Sequence, residues 1–295
     1  METLIAIGAH HDDVELRCGG TLAKYVQAGC RVVYVVATTT PHYALWPEEE
    51  ASGKSRSNAE VIALRKSECR KGAEVLGIDE VHFFDFKSLY WYKEGTHDRR
   101  YLDGHELTVE EFRYLNEQVP GREWIVSATQ CPAALAFLKD FLRERAPATV
   151  LTHFPEDAHW EHYATGAFVG KAARELVEEG VELELYAWEP AGRNLRSFAP
   201  THFEDISTTI DAKCRAIAGF TSQFTPLRGP EADEWLEWVR KRARDYGALA
   251  GMEYAEPYMQ FPIAEHPKRG GMRLPDTYDS TKARIGLQRD TETQS

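Results

Sequence analysis

The sequence predicts an α/β protein with a Rossmann-like, mostly parallel sheet, helices on both faces, and a C-terminal helical/β extension. Three observations carry this expectation. Short β-branched runs alternate with longer helical patterns through the first two thirds of the chain, and that alternation marks parallel strands joined by right-handed crossovers. Two clusters of imidazole and carboxylate groups, at 9–15 and 157–162, each follow a strand-like run. In open α/β sheets, ligands gather outside the carboxyl ends of the strands. Finally, 295 residues at 43% hydrophobic and 28% charged suit one large domain with a substantial core.

Residues 4–8 read as a buried strand, and 19–27 as a helix with Leu22, Tyr25 and Val26 on one face and Gly29 as its stop. A second β-branched strand spans 32–37. The polar stretch 38–58 carries Trp46 and the acidic residues Glu48, Glu49 and Glu50. So long a connection in a compact domain reads as a functional lid. A helix over 59–76 closes at Gly77, and 81–84 form a short strand. Residues 87–121 are irregular and aromatic, with Tyr90, Trp91, Tyr92 and Tyr101. A helix (133–145), a strand (149–153), a helix (163–178) stopped by Gly180 and a strand (181–188) complete the alternation. The last third reads as an appended layer, with a strand at 206–210 and helices at 211–222 and 232–249. A single domain is expected over 1–265, followed by a polar tail, 266–295.

Composition excludes several partners. Lys plus Arg number 35 against 47 Asp plus Glu, a formal net charge of −12. Phosphate backbones require clustered cations, so a nucleic-acid partner is not expected. The five cysteines, Cys18, Cys30, Cys69, Cys131 and Cys214, are odd in number and show no CxxC spacing, which suits reduced thiols. No leader-like stretch and no membrane-length apolar run is visible. The expectation is a cytoplasmic protein acting on a small molecule, with self-association left open.

The two clusters point to a metal. Ala9-His10-His11-Asp12-Asp13-Val14-Glu15 follows the apolar run Leu4-Ile5-Ala6-Ile7, and Asp157-Ala158-His159-Trp160-Glu161-His162 follows Thr149-Val150-Leu151-Thr152-His153. Such groups are costly to desolvate unless paired or bound to a cation. Neutral imidazole and carboxylate suit zinc, and a catalytic zinc keeps three protein ligands and one open position. His10, Asp13 and His162 would form such a set. A helix cap is the competing role for Asp12. His153 reads as a hydrogen-bonded histidine of the core or of the ligands' support.

Taken together, His10-His11-Asp12-Asp13, Gly19-Gly20-Thr21 and the second cluster resemble the LmbE/PIG-L-like zinc-dependent N-deacetylases. That family's pattern is His-Pro-Asp-Asp, a downstream Gly-Gly-Thr, then Asp-x-His-x-Asp-His. Fainter echoes fall at Arg65-Lys66-Ser67-Glu68, at Lys213 with Ser222-Gln223, and at Glu253-Tyr254-Ala255-Glu256, so the resemblance spans about 3–260. It implies one Zn2+ per chain on His10, Asp13 and His162, with Asp12 as general base and His159 as acid or oxyanion stabiliser. Arg65 would touch polar groups of the substrate. The chain departs from the pattern at His11 and Trp160, where proline is usual, and at Glu161, where aspartate is usual. His11 and Trp160 therefore become candidates to face the substrate.

The implied reaction is removal of an acyl group, acetyl first, from the nitrogen of an amino sugar or sugar conjugate. Two other readings fit the same frame. One is a metal-dependent hydratase of an unsaturated carboxylic acid; the other is a metal-binding protein without turnover.

Overall fold

The computed structural model of the chain describes residues 2–39, 51–52, 56–88, 90–92, 99–101, 124–190, 198–223 and 229–261. Most of 38–58 and 87–121, and the whole tail 266–295, lie outside the described residues. The strands are β1 (Thr3–Gly8), β2 (Arg31–Thr39), β3 (Glu80–Lys87), β4 (Tyr90–Tyr92), β5 (Arg99–Tyr101), β6 (Thr149–Thr152), β7 (Glu184–Trp188), β8 (His202–Asp205) and β9 (Ala255–Gln260). The α-helices are α1 (Asp13–Gln27), α2 (Asn58–Leu76), α3 (Pro132–Arg145), α4 (Trp160–Glu178), α5 (Ile210–Ala218) and α6 (Gly229–Ala250).

Seven strands form one sheet in the order β3-β2-β1-β6-β7-β9-β8. The run from β3 to β7 is parallel, and β9 lies antiparallel between β7 and β8. The chain leaves β1 in one direction to β2 and β3, and later returns on the other side as β6 and β7. The junction of β1 and β6 is therefore the switch point of the sheet, where two successive connections diverge and leave a crevice.

Alternate residues of each strand serve opposite faces. Ile5, Ile7, Val33, Val35, Val150 and Leu185 pack with Leu138, Phe168 and Val169. Leu4, Ala6, Tyr34, Val36, Leu151 and Tyr186 pack with Leu22, Tyr25, Ala73 and Leu76. Both faces are covered, as a parallel sheet requires. Among the described residues, no helix is long and apolar enough to cross a membrane.

The expected elements are present, with instructive shifts. Helix α1 begins at Asp13, six residues before the expected start, so Gly19 and Gly20 lie inside it. They serve close packing: a Cβ on Gly20 would meet Ile206 at 2.8 Å. The strand expected at 206–210 lies earlier, at β8, because Asp205 Oδ1 accepts from the Ser207 amide (2.9 Å) and hydroxyl (2.6 Å) and turns the chain. Strand β9 has no counterpart among the expected elements; Pro257 lies within it, and proline is uncommon in a strand interior.

Glu256 on β9 fastens the extension to the first motif. Its carboxylate accepts from the Gly20 amide (3.0 Å), the Thr21 amide (2.8 Å) and hydroxyl (2.6 Å), Lys213 Nζ (2.5 Å) and the Tyr258 hydroxyl (3.1 Å). Glu256 and Lys213 are both buried. Glu256→Ala strands the Lys213 ammonium in the interior, and we expect a loss of about 3–5 kcal/mol in urea unfolding. A loss under about 1 kcal/mol would show that the network contributes little.

Candidate metal centre

The end of β1 is held open by its neighbours. The Ala9 carbonyl accepts from the Thr38 amide (2.9 Å) and hydroxyl (2.7 Å). Gly8 lets α1 fold back closely, since a Cβ there would lie 3.0 Å from Val14 and 3.1 Å from Asp13. The His10 amide then donates to Asp13 Oδ2 at 2.6 Å. Asp12 occupies the helix N-cap, but its side chain makes no capping hydrogen bond. It pairs instead with Arg65 Nη2 at 3.3 Å.

Three donors converge across the switch point. His10 Nδ1 lies 3.2 Å from His162 Nε2 and 3.3 Å from Asp13 Oδ2, while His162 Nε2 lies 3.2 Å from Asp13 Oδ1. Tetrahedral zinc with bonds of about 2.0–2.1 Å sets its donors about 3.3 Å apart. The donor types and their separations fit such an ion. Two overlapping donor groups lie within 4.8 Å, His10 with His159 and His162, and Asp13 with His153 and His162.

The far side of each ring meets a carboxylate. His10 Nε2 donates to Glu161 Oε2 at 2.6 Å, leaving the Nδ1 lone pair for the centre. His162 Nδ1 meets Asp157 Oδ2 at 3.2 Å, leaving Nε2. Such partners fix the ring tautomer and raise its basicity. Ser88 Oγ also donates to Glu161 Oε2, at 3.1 Å. The longer Glu161 thus reaches the first histidine.

The charges agree with a cation site. Burial works against the charge on His10, but Asp13 and Glu161 outweigh it and raise it to about 10. Burial opposes the His162 charge too, and Asp13 leads the groups that raise it. Burial pushes Asp13 upward, yet His162, His153 and His10 hold it well below the usual carboxylate range. In the metal-free chain a protonated His10 faces these carboxylates, and a dication held by the same groups would displace that proton.

His153 supports Asp13. The Trp188 indole donates to His153 Nδ1 at 3.2 Å, and the Ala9 amide donates to Nε2 at 2.9 Å. Nε2 also lies 3.1 Å from Asp13 Oδ2, so the ring is fixed from both edges against that carboxylate. Burial, then His162, pushes the His153 ring down to about 4, so the supporting ring is neutral.

His159 is the N-cap of α4 and accepts the Glu161 amide on Nδ1 at 3.3 Å. Its proton therefore sits on Nε2. The ring stacks on His162 at 4.3 Å and stands edge-on to His10 at 5.0 Å. Burial, then His10 and His162, pushes it down to about 2, which makes it a neutral donor.

The structure thus brings together His10, Asp13, His159 and His162, while Asp12, next to Asp13 in the chain, pairs with Arg65. Trp160 opens α4 and is 40% exposed. His11 is not brought to the pocket: it is 0% exposed, tilts against Phe83 at 5.7 Å, and neither ring nitrogen has a hydrogen bond. Arg65 is buried as well, held by Asp12. Sequence reasoning gave no role to Asp157, Ser88 or Trp188. Asp157 sits inside the motif and could have been found there; Ser88 and Trp188 lie at strand ends with no signal of their own. A cavity of about 380 Å³ lined by Gln130, Leu135, Lys139, Arg143, Lys171 and Glu175 lies apart from these donors.

Comparison with known proteins gives a consistent picture. The family model described as PIG-L, GlcNAc-PI de-N-acetylase, matches residues 5–173. A diacetylchitobiose deacetylase of Thermococcus kodakarensis is 26% identical over 270 residues, 87% of this chain and 82% of that protein. The structure of N,N'-diacetylchitobiose deacetylase from Pyrococcus horikoshii is similar at a TM-score of 0.60 and 19% identity, covering 89% of this chain and 84% of that one. GalB, the 4-carboxy-2-hydroxymuconate hydratase of Pseudomonas putida, is similar at 0.60 and 21%, covering 91% and 100%. These two structural likenesses establish the fold.

Proposed function

The chain belongs to the PIG-L family, and from that membership we propose a zinc-dependent hydrolase that removes an N-acyl group, acetyl first, from an amino sugar or sugar conjugate. The observation that carries this reading is the convergence of His10 Nδ1, His162 Nε2 and the Asp13 carboxylate at 3.2–3.3 Å. Those three residues would hold the zinc, which supplies Lewis acidity toward a carbonyl and acidifies water.

The remaining groups divide the proton work. Asp12, fixed by Arg65 and outside the donor set, takes the proton of the attacking water and returns it to the departing nitrogen. The His159 Nε2–H donates to the carbonyl oxygen as negative charge gathers there. Glu161, Asp157 and His153 hold the two imidazoles and the carboxylate in place, so no reorganisation is needed at the moment of reaction. Trp160, half exposed at the start of α4, offers a flat apolar face to a sugar ring.

The diacetylchitobiose deacetylases among the relatives supply the first substrate to try. Zinc-loaded protein should release acetate from N,N'-diacetylchitobiose or another N-acetylglucosamine compound. No amide hydrolysis across a panel of such compounds, with loss of enoate absorbance from an unsaturated acid, would replace this reading with the hydratase.

A further inference from the structure

Arg17 lies one helical turn past Asp13 on α1, on the same face of the helix. Its one ion pair among the described residues is long, Nη1 to Glu189 Oε2 at 4.0 Å. It makes no side-chain hydrogen bond among the described residues, although its side chain is only 16% exposed. A guanidinium carries five N–H donors, and none of the Arg17 nitrogens is sealed from solvent, so they are open to a ligand that enters from outside.

Among the described residues, the neighbouring carboxylates all have other, closer partners. Glu189, the first residue past β7, accepts from Arg242 Nε at 3.1 Å, from Arg242 Nη2, and from the Tyr246 hydroxyl at 2.5 Å. The other acids whose field Arg17 feels are Asp13, Asp157 and Asp12. Asp13 belongs to the metal donors, Asp157 holds His162, and Asp12 pairs with Arg65. Arg242 and Tyr246 already answer Glu189, so the Arg17 guanidinium has no close acceptor of its own there, and a cation without one is what an incoming anion can meet.

Its position fits a recognition role. Strand β7 lies beside β6 in the sheet, so Glu189 marks the flank of the crevice next to the second cluster. Arg17 stands between the metal donors and that flank. The cleft it shares with Leu16, Glu189, Arg242 and Tyr246 holds about 30 Å³, the room of one water molecule. An anion would therefore be met at the mouth of the cleft.

We propose that Arg17 recognises an oxyanion carried by the substrate, a carboxylate or a phosphate ester placed to the β7 side of the scissile amide. The assignment rests on the deacetylase reading, and it narrows the substrate class to anionic amino-sugar derivatives. Arginine suits the task because its planar fork meets two oxygens at once.

Two measurements test it. The first compares kcat/KM of zinc-loaded protein for N-acetylglucosamine, its 6-phosphate, and N-acetylmuramic acid as the carboxylate form. One anionic sugar should be preferred by about 10- to 100-fold, mainly through KM, and which one identifies the oxyanion. Arg17→Gln should bring the ratio of anionic to neutral substrate toward one, and Arg17→Lys should keep part of it. The second titrates inorganic phosphate into metal-free protein by calorimetry, where wild type binds and Arg17→Gln does not. Equal use of neutral and anionic sugars, or a preference that survives Arg17→Gln, overturns the proposal. If no sugar amide is hydrolysed, the deacetylase reading fails, and Arg17-independent phosphate binding or none then sinks the anion site separately.

Discussion

His162→Ala is expected to lose bound zinc. His162 stands in both groups of converging donors, and its Nε2 is 3.2 Å from both His10 Nδ1 and Asp13 Oδ1. Removing it leaves one imidazole and one carboxylate. Loss of an outer partner alone weakens metal sites about 10- to 100-fold, so loss of this ring should cost at least about 100-fold. Zinc content after dialysis and calorimetric titration would show it. Zinc should also raise the melting temperature of wild type, since a ligand at 100 times its Kd stabilises by about 2.7 kcal/mol, while the variant should not respond. The sign of the pH dependence follows from the rings. His10 is raised to about 10 and His162 is raised, so His10 holds its proton at neutral pH in the metal-free chain and His162 gives its own up less readily than a free imidazole. Zinc must displace them; uptake should release protons, and affinity should climb as the pH rises toward 10. Full zinc retention by His162→Ala would refute the assignment.

Asp12→Asn is the second large effect. The variant should keep wild-type zinc content, because Asp12 is absent from the donor groups. It should lose about 10²–10⁴ in kcat, the range that a positioned general base contributes. The amide has nearly the same shape, but it cannot take a proton. Arg65, buried at 2% exposure, loses its counter-charge at the same time, so some loss of stability is expected, and kinetics belong well below the variant's melting point. A helix cap does not account for Asp12, whose side chain caps nothing. Unchanged turnover by Asp12→Asn would remove it from the mechanism.

Much of this was legible in the chain itself. Alternating β-branched and helical runs gave the parallel half of the sheet, because buried parallel strands must be apolar on both faces. Motif order gave the site, because His10 and His162 each follow a strand and β1 and β6 turn out to be neighbours. Geometry that depends on distant partners was not legible. Gly20 looks like a helix opener until Ile206 is seen against it. Strand β9 is masked by Pro257 and by its dependence on β7 and β8 for pairing. His11 sits among site residues in sequence, yet the helical turn that starts at Asp13 points it into the interior against Phe83. Arg65 was expected to touch the substrate; its burial against Asp12 is set by how α2 packs on α1, which the sequence does not carry.

The account depends on one ion held by ligands from both motifs. X-ray absorption at the zinc edge of loaded protein reads the ligands directly. The expected spectrum contains two imidazoles, a light oxygen shell at about 2.0–2.2 Å and no sulfur, and His10→Ala or His162→Ala should each remove one imidazole from whatever zinc is retained. A sulfur shell, or an imidazole count unchanged by both substitutions, would contradict it.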